Sequence, residues 1–162
     1  MKTIPDQLQA MKRLWPGFDP YFVTSDSVVW VGSLTVIQCP HNIIVEYGLP
    51  KEGASEKWRI FPQVRVLSPQ LKPNFAAPEE APLPHVYFDM DDITFSPLCL
   101  FDPTNDEWSH DDLIATTTIP WAAEWLMFYE GWRATGRWLG GGRHMIIDGE
   151  RQQNELLSPA TV

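Results

Sequence analysis

Cations are scarce in this chain: 12 lysines and arginines stand against 21 aspartates and glutamates in 162 residues, a formal net charge of -9. Sequence-independent nucleic-acid binding depends on basic side chains neutralising phosphates, so nucleic acid is not an expected partner. Long apolar runs are absent as well; none approaches the roughly 20 residues of a membrane span. The opening Met1-Lys2-Thr3-Ile4-Pro5-Asp6 lacks the basic-then-apolar order of a signal peptide, so no membrane partner and a cytoplasmic location are the expectation. Cysteine is limited to Cys39 and Cys99, sixty residues apart, which excludes a CxxC pair and argues against a disulfide in a reducing compartment. The four histidines, at 41, 85, 110 and 144, do not have metal-ligand spacing, and Gly140-Gly141-Gly142 is followed by Arg143 rather than the Lys-Ser/Thr of a phosphate loop. No metal or cofactor is therefore expected.

Apolar and aromatic residues are plentiful: 44% of the chain is hydrophobic, with eight tryptophans. A chain of this length buries one good core, which predicts a single domain over 1–147 and a polar, aperiodic tail over 148–162. Ile4, Leu8, Met11 and Trp15 recur at helical spacing, with Thr3 and Asp6 as a capping box and Pro16-Gly17 as a stop, predicting a helix over 3–15. Three runs rich in β-branched and aromatic residues follow, Val28 to Ile37, Asn42 to Leu49 and Trp58 to Leu67, with short connections that favour an antiparallel meander. Cys39-Pro40-His41 reads as a turn between the first two. From 68 to 97, six prolines block helix continuation and central-strand pairing. A segment that long without periodicity is usually functional or mobile, and it leads straight to Cys99. Beyond Trp108, a helical pattern from Ile119 to a stop at Gly136 is apolar nearly all round and should be central. The fold class is α/β, with an N-terminal helix, a meander sheet and C-terminal helices.

Cys99 stands in Leu98-Cys99-Leu100-Phe101, after Ser96-Pro97 and before the turn-prone acidic run Asp102-Pro103-Thr104-Asn105-Asp106-Glu107. A cysteine between leucines is ordinarily an inert core residue; at a loop edge it is within reach of a reactant. Asp89, Asp91, Asp92, Asp111 and Asp112 add to the negative charge nearby, either as a solubilising surface or as part of a site. Carboxylates at 102, 106 and 107 disfavour the thiolate, which argues against a peptidase. They suit aminolysis, because an attacking lysine arrives charged and must be attracted, oriented and deprotonated. Asp102 is the nearest in sequence, with Asp106 and Asp111 behind it; the alternative is that these residues only form turns. His85, in Pro84-His85-Val86-Tyr87, is a candidate oxyanion donor or a histidine satisfied by the backbone. His110, next to Trp108-Ser109, is an alternative to His85 in approaching Cys99, and sequence alone does not decide between them; Trp108 reads as a rigid floor beneath the loop.

The order of Pro84-His85, Cys99 flanked by leucines, Trp108 and the later helical pattern resembles the ubiquitin-conjugating enzymes. Closer still, Leu98-Cys99-Leu100-Phe101-Asp102-Pro103, Glu107-Trp108, Ile119-Pro120-Trp121-Ala122-Ala123-Glu124-Trp125-Leu126 and Gly140-Gly141-Gly142-Arg143-His144 are similar to bacterial ubiquitin-conjugating-like proteins of CBASS anti-phage operons. No Asn follows Pro84-His85, and the gap to the cysteine is longer than in the eukaryotic His-Pro-Asn pattern, so the oxyanion role of that Asn does not carry over and His85 stands in its place. The resemblance implies a ubiquitin-conjugating-type fold with the 68–97 region as an extended flap, and a thioester at Cys99. It also implies that the acyl donor is the C-terminus of a cGAS-like nucleotidyltransferase, that a lysine-bearing protein is the acceptor, and that the donor is activated elsewhere, since the chain has no adenylating domain. A non-catalytic partner-binding module of the same fold is the rival reading, and a cysteine hydrolase a third.

Overall fold

The computed structural model describes residues 1–50 and 61–141. Helix α1 (Ile4–Leu14) opens at Thr3, whose hydroxyl accepts from the Asp6 N–H while the Asp6 carboxylate accepts from the Thr3 N–H, the reciprocal cap expected from their spacing. Its buried face carries Ile4, Gln7, Ala10 and Met11. Gln7 is the informative member: its amide donates to the Asp112 carbonyl and accepts from the Ile114 N–H, which ties α1 to the segment that leads into the last helix.

Strands β1 (Asp19–Val23), β2 (Ser27–Val36), β3 (Cys39–Gly48) and β4 (Gln63–Ser68) form one antiparallel sheet in the order β1-β2-β3-β4. This is the expected meander with one strand added. The added strand, β1, is exposed along its whole length, contains Pro20 and pairs with β2 across a bulge, so it lacks the alternation by which a strand is read from sequence. The β2–β3 connection corrects the reading of Cys39-Pro40-His41 as a turn. The two turn residues are Ile37 and Gln38, both at positive φ, and Cys39-Pro40-His41 begins β3. Pro40 is tolerated because β4 pairs with β3 only from Asn42 onward, so the strand is locally an edge. The beginning of the predicted Trp58 to Leu67 strand, and the predicted 148–162 tail, lie outside the described residues.

The inner face of the sheet presents Val28, Trp30, Leu34, Ile43, Val45, Tyr47, Val64 and Val66, all buried. Against it packs α2 (Thr118–Thr135), which buries Ile119, Ala122, Trp125, Leu126, Tyr129 and Trp132. Among the described residues α2 is the one C-terminal α-helix; two short 3-10 turns, Ile93–Phe95 and Pro103–Asn105, interrupt the irregular backbone that precedes it. It is apolar nearly all round because it is covered twice, by the sheet and by the proline-rich segment. The polar tips of its aromatic side chains fasten that segment: Tyr129 Oη accepts from the Lys72 N–H at 2.7 Å, Trp132 Nε1 donates to the Glu79 carbonyl at 2.8 Å, and Trp125 Nε1 donates to the His85 carbonyl at 3.0 Å. Each ring thus buries its apolar body, and those of Tyr129 and Trp132 also satisfy the Lys72 N–H and the Glu79 carbonyl. Gly136 ends the helix at φ 72, where an added Cβ would come within 2.7 Å of Pro78. Among the described residues no helix is long and apolar enough to cross a membrane.

Candidate active site

Residues 97–99 lie between the edge of β4 and the segment 85–87. The Leu98 N–H donates to the Val64 carbonyl at 2.8 Å, Val86 and Leu98 pair as an antiparallel bridge, and the Cys99 N–H donates to the His85 carbonyl at 2.9 Å. Alternation along this short ladder sends Leu98 into the core and leaves Cys99 half-buried at the surface. Because the same His85 carbonyl also takes the Trp125 indole N–H, α2 holds the ladder in place from behind.

Two surface clefts meet at the thiol. One, of about 610 Å³, is polar and is lined by His85, Asp102, Asn105 and Glu107 together with Cys99. The other, of about 520 Å³, runs from Cys99 along α2 past Glu107, Trp121 and Phe128. Beneath them Phe101 stacks on Trp108 at 6.1 Å, and Trp108, 3% exposed, packs edge-on to Phe61 and Tyr47. Trp108 is the expected floor of the loop.

The proton on Cys99 is held by its surroundings. Burial pushes the thiol above its ordinary value, Asp102 and Glu107 push the same way by repelling the thiolate, and the neighbouring Tyr87 hydroxyl, which donates to the Phe101 carbonyl at 3.5 Å, opposes them by offering a hydrogen bond to the thiolate. Tyr87 in turn titrates far above the usual phenol range, first because it is buried and then because the thiol and Asp102 sit beside it. Its hydroxyl is therefore a donor at any physiological pH.

His85 is 6% exposed and sits at φ 44, the left-handed region that side chains other than glycine rarely adopt. Its ring packs on Trp138 with centroids 5.1 Å apart, and its Nε2 lies 3.9 Å from the Glu80 carboxylate, beyond hydrogen-bond length. Asp102 caps the Pro103–Asn105 turn: its carboxylate accepts from the Thr104 N–H and hydroxyl and from the Asn105 amide. Its own N–H donates to Glu107 Oε2 at 2.7 Å, so the acidic run folds back on itself beside the thiol.

The profile of one protein family matches residues 7–145, and that family is described as Type II CBASS E2 protein. The chain belongs to the type II CBASS E2 family. Membership gives it an E2-like role in CBASS alongside other components of that system. No curated protein matches the sequence.

In this CBASS E2 protein the residues singled out from sequence separate into two groups. Cys99, His85 and Asp102 line one cleft, with Glu107 added. His110 does not join them; its Nδ1 pairs with the Tyr47 hydroxyl at 2.8 Å inside the aromatic cluster around Trp108, where burial lowers its basicity. Asp111 faces the Met1 ammonium, which holds its carboxyl below the ordinary value. Asp106 ends the 3-10 turn in a left-handed conformation. Tyr87 is the functional candidate that the sequence reading passed over. Its nearness to His85 in sequence was no guide, because the left-handed backbone at His85 breaks the alternation that would relate the two side chains.

Proposed function

We propose that this CBASS E2 protein is an acyl carrier of the ubiquitin-conjugating type: Cys99 receives the C-terminus of a partner protein as a thioester and passes it to an amine. The partner proposed from family resemblance is a cGAS-like nucleotidyltransferase, and the acceptor is a lysine-bearing protein. The observation that carries this reading is the half-buried thiol at the junction of two open clefts, beside a phenol donor and a set of carboxylates.

In the first step the Cys99 sulfur attacks the carbonyl carbon of an acyl group activated elsewhere; a C–S bond forms, the bond to the donor's leaving group breaks, and the thiol proton departs with that leaving group. Tyr87 favours this step by donating to the sulfur as it becomes anionic. In the second step an amine attacks the thioester carbonyl, and the C–S bond breaks with return of the thiol. His85, on the wall of the same cleft, is the proposed side-chain donor to the oxyanion, a contact worth about 3 kcal/mol of barrier where it is preorganised. Asp102, already accepting three hydrogen bonds, holds the loop and supplies charge that attracts the ammonium. Glu107, exposed and with one carboxylate oxygen engaged by the Asp102 N–H, is better suited to accept the proton. A raised thiol pKa keeps the resting thiolate fraction low, which protects Cys99 from adventitious electrophiles.

The test is intact mass spectrometry of the protein co-expressed with the nucleotidyltransferase, comparing wild type with Cys99→Ala and Cys99→Ser. An adduct that reductant releases from wild type, that persists as an ester in Cys99→Ser and that is absent from Cys99→Ala supports the acyl carrier. A non-covalent complex in all three, with no adduct, replaces it with the partner-binding module.

A further inference from the structure

On α2 the residues Trp121, Glu124, Trp125 and Phe128 are spaced at i, i+3, i+4 and i+7, which puts all four on one stripe of the helix. Trp125 is buried in the core, whereas Trp121 and Phe128 are half-buried and Glu124 is exposed. The stripe forms the wall of the 520 Å³ cleft, whose other lining residues include Phe101, Glu107 and Trp138 and which reaches Cys99. The aromatic lining falls into two groups: Phe101 and Trp121, with centroids 6.0 Å apart, and Trp138 with Trp125 at 5.9 Å and Phe128 at 5.7 Å. Gly140 closes the corner, where an added Cβ would come within 2.8 Å of both Phe128 and Trp138. Glu124 is exposed within this aromatic surface, and among the described residues no salt bridge neutralises it.

Aromatic faces with a carboxylate on each side are a poor site for a phosphate or an acidic peptide. They are a good one for an unbranched alkylammonium group: the methylene stem lies against the rings, the cation is drawn to their faces, and the carboxylates complete the charge. We propose that this cleft is the channel through which the acceptor's lysine side chain reaches the acyl group, with Trp121 and Phe128 holding the stem and Glu124 and Glu107 the ammonium. The inference rests on Cys99 as the acyl carrier and adds a substrate site on α2 that the acidic loop alone does not supply. The step balances as follows. The ammonium gives one proton to a carboxylate, the free amine attacks the thioester carbon, and the C–N bond forms. The C–S bond breaks, the nitrogen's second proton goes to the departing sulfur, and the carboxylate releases its proton to water.

Two measurements on the full chain test this separately from the chemistry at Cys99. In the first, ¹⁵N-labelled protein is titrated with n-pentylammonium chloride and, as a neutral control of equal length, with n-pentanol. The site predicts shifts of the Trp121, Trp125 and Trp138 indole signals with the ammonium, weakened up to about fivefold in Glu124→Gln, the scale of one exposed ion pair. Equal responses to ammonium and alcohol, or no change in Glu124→Gln, overturn it. In the second, Cys99 is charged by exchange with a diglycine thioester of mercaptoethanesulfonate and discharged with Nα-acetyl-lysine amide or hydroxylamine. The ratio of the two rates should fall in Glu124→Gln and further in Glu124→Lys; an unaltered ratio overturns the channel. If the indole signals shift but Cys99 does not take the acyl group, the acyl-carrier reading falls while the alkylammonium site stands.

Discussion

Cys99 is under two opposed influences, and its titration should report both. Burial, Asp102 and Glu107 keep the proton on the sulfur, and Tyr87 helps to remove it. The pH dependence of iodoacetamide alkylation, followed at Cys99 by peptide mass spectrometry, should therefore inflect above the free-thiol range. Asp102→Asn and Glu107→Gln should each move the inflection down, because each removes a charge that repels the thiolate. Tyr87→Phe should move it up, because the thiolate loses its donor. An inflection in Tyr87→Phe equal to wild type would remove Tyr87 from the site. The candidate nucleophile and its acidic neighbourhood were readable from the chain because both depend on residues adjacent in sequence. Burial as the leading influence on the thiol was not, since it comes from residues far from it in sequence, His85 on one side and Trp125 and Trp138 on the other. His110, which sequence left open, belongs to the aromatic cluster, because Tyr47 on β3 captures its ring.

At the level of elements, α2 is both the core helix and the clamp on the segment that presents the thiol. The helix was legible from its apolar density and from Gly136; that its indoles and phenol would grip the backbone at 72, 79 and 85 was not, because those contacts join residues 40 to 57 apart. The sheet followed the same division. β2 and β3 alternate cleanly and were recognisable, whereas β1 has no buried face and the Ile37-Gln38 turn uses residues with no turn preference. Trp125→Phe keeps most of the ring in the core but removes the donor to the His85 carbonyl. It should cost about 1 kcal/mol in a denaturant melt, and should reduce thioester formation by more than that loss of folding predicts, because the His85–Cys99 ladder is no longer held from behind. Thioester formation equal to wild type would mean that the ladder holds itself. Gln7→Ala is the control at the far end of the molecule. It strands the Ile114 N–H and the Asp112 carbonyl, and should cost roughly 1–3 kcal/mol without touching either cleft.

For the whole molecule, the sheet and α2 also meet at a buried ionisable pair. His41, with no exposed surface, lies on β3 with its Nε2 3.1 Å from Glu130 Oε1 on α2, and Arg133 grips the same carboxylate at 3.2 Å. Burial lowers the His41 pKa; Glu130 opposes that, and Arg133 reinforces it. A histidine whose folded pKa is depressed takes up fewer protons folded than unfolded, so unfolding binds protons in the interval below the unfolded value of about 6.5. Stability should accordingly be complete above that pH and decline as pH falls below it, by at most about 1.4 kcal/mol per pH unit for each such histidine. His110, depressed by its own burial, adds a second contribution in the same window, while Asp6 and Asp111, whose folded pKa values lie below the ordinary carboxylate value, lose theirs only at much lower pH. Urea melts of wild type and His41→Gln at intervals from pH 7.5 to 5 separate these terms. The substitution should lower stability at pH 7.5, where it loosens a packed residue, yet flatten the decline toward pH 5, so that the two curves converge. Parallel curves would show that His41 charges as readily inside the fold as outside it, and that Glu130 offsets the desolvation of the ring in full.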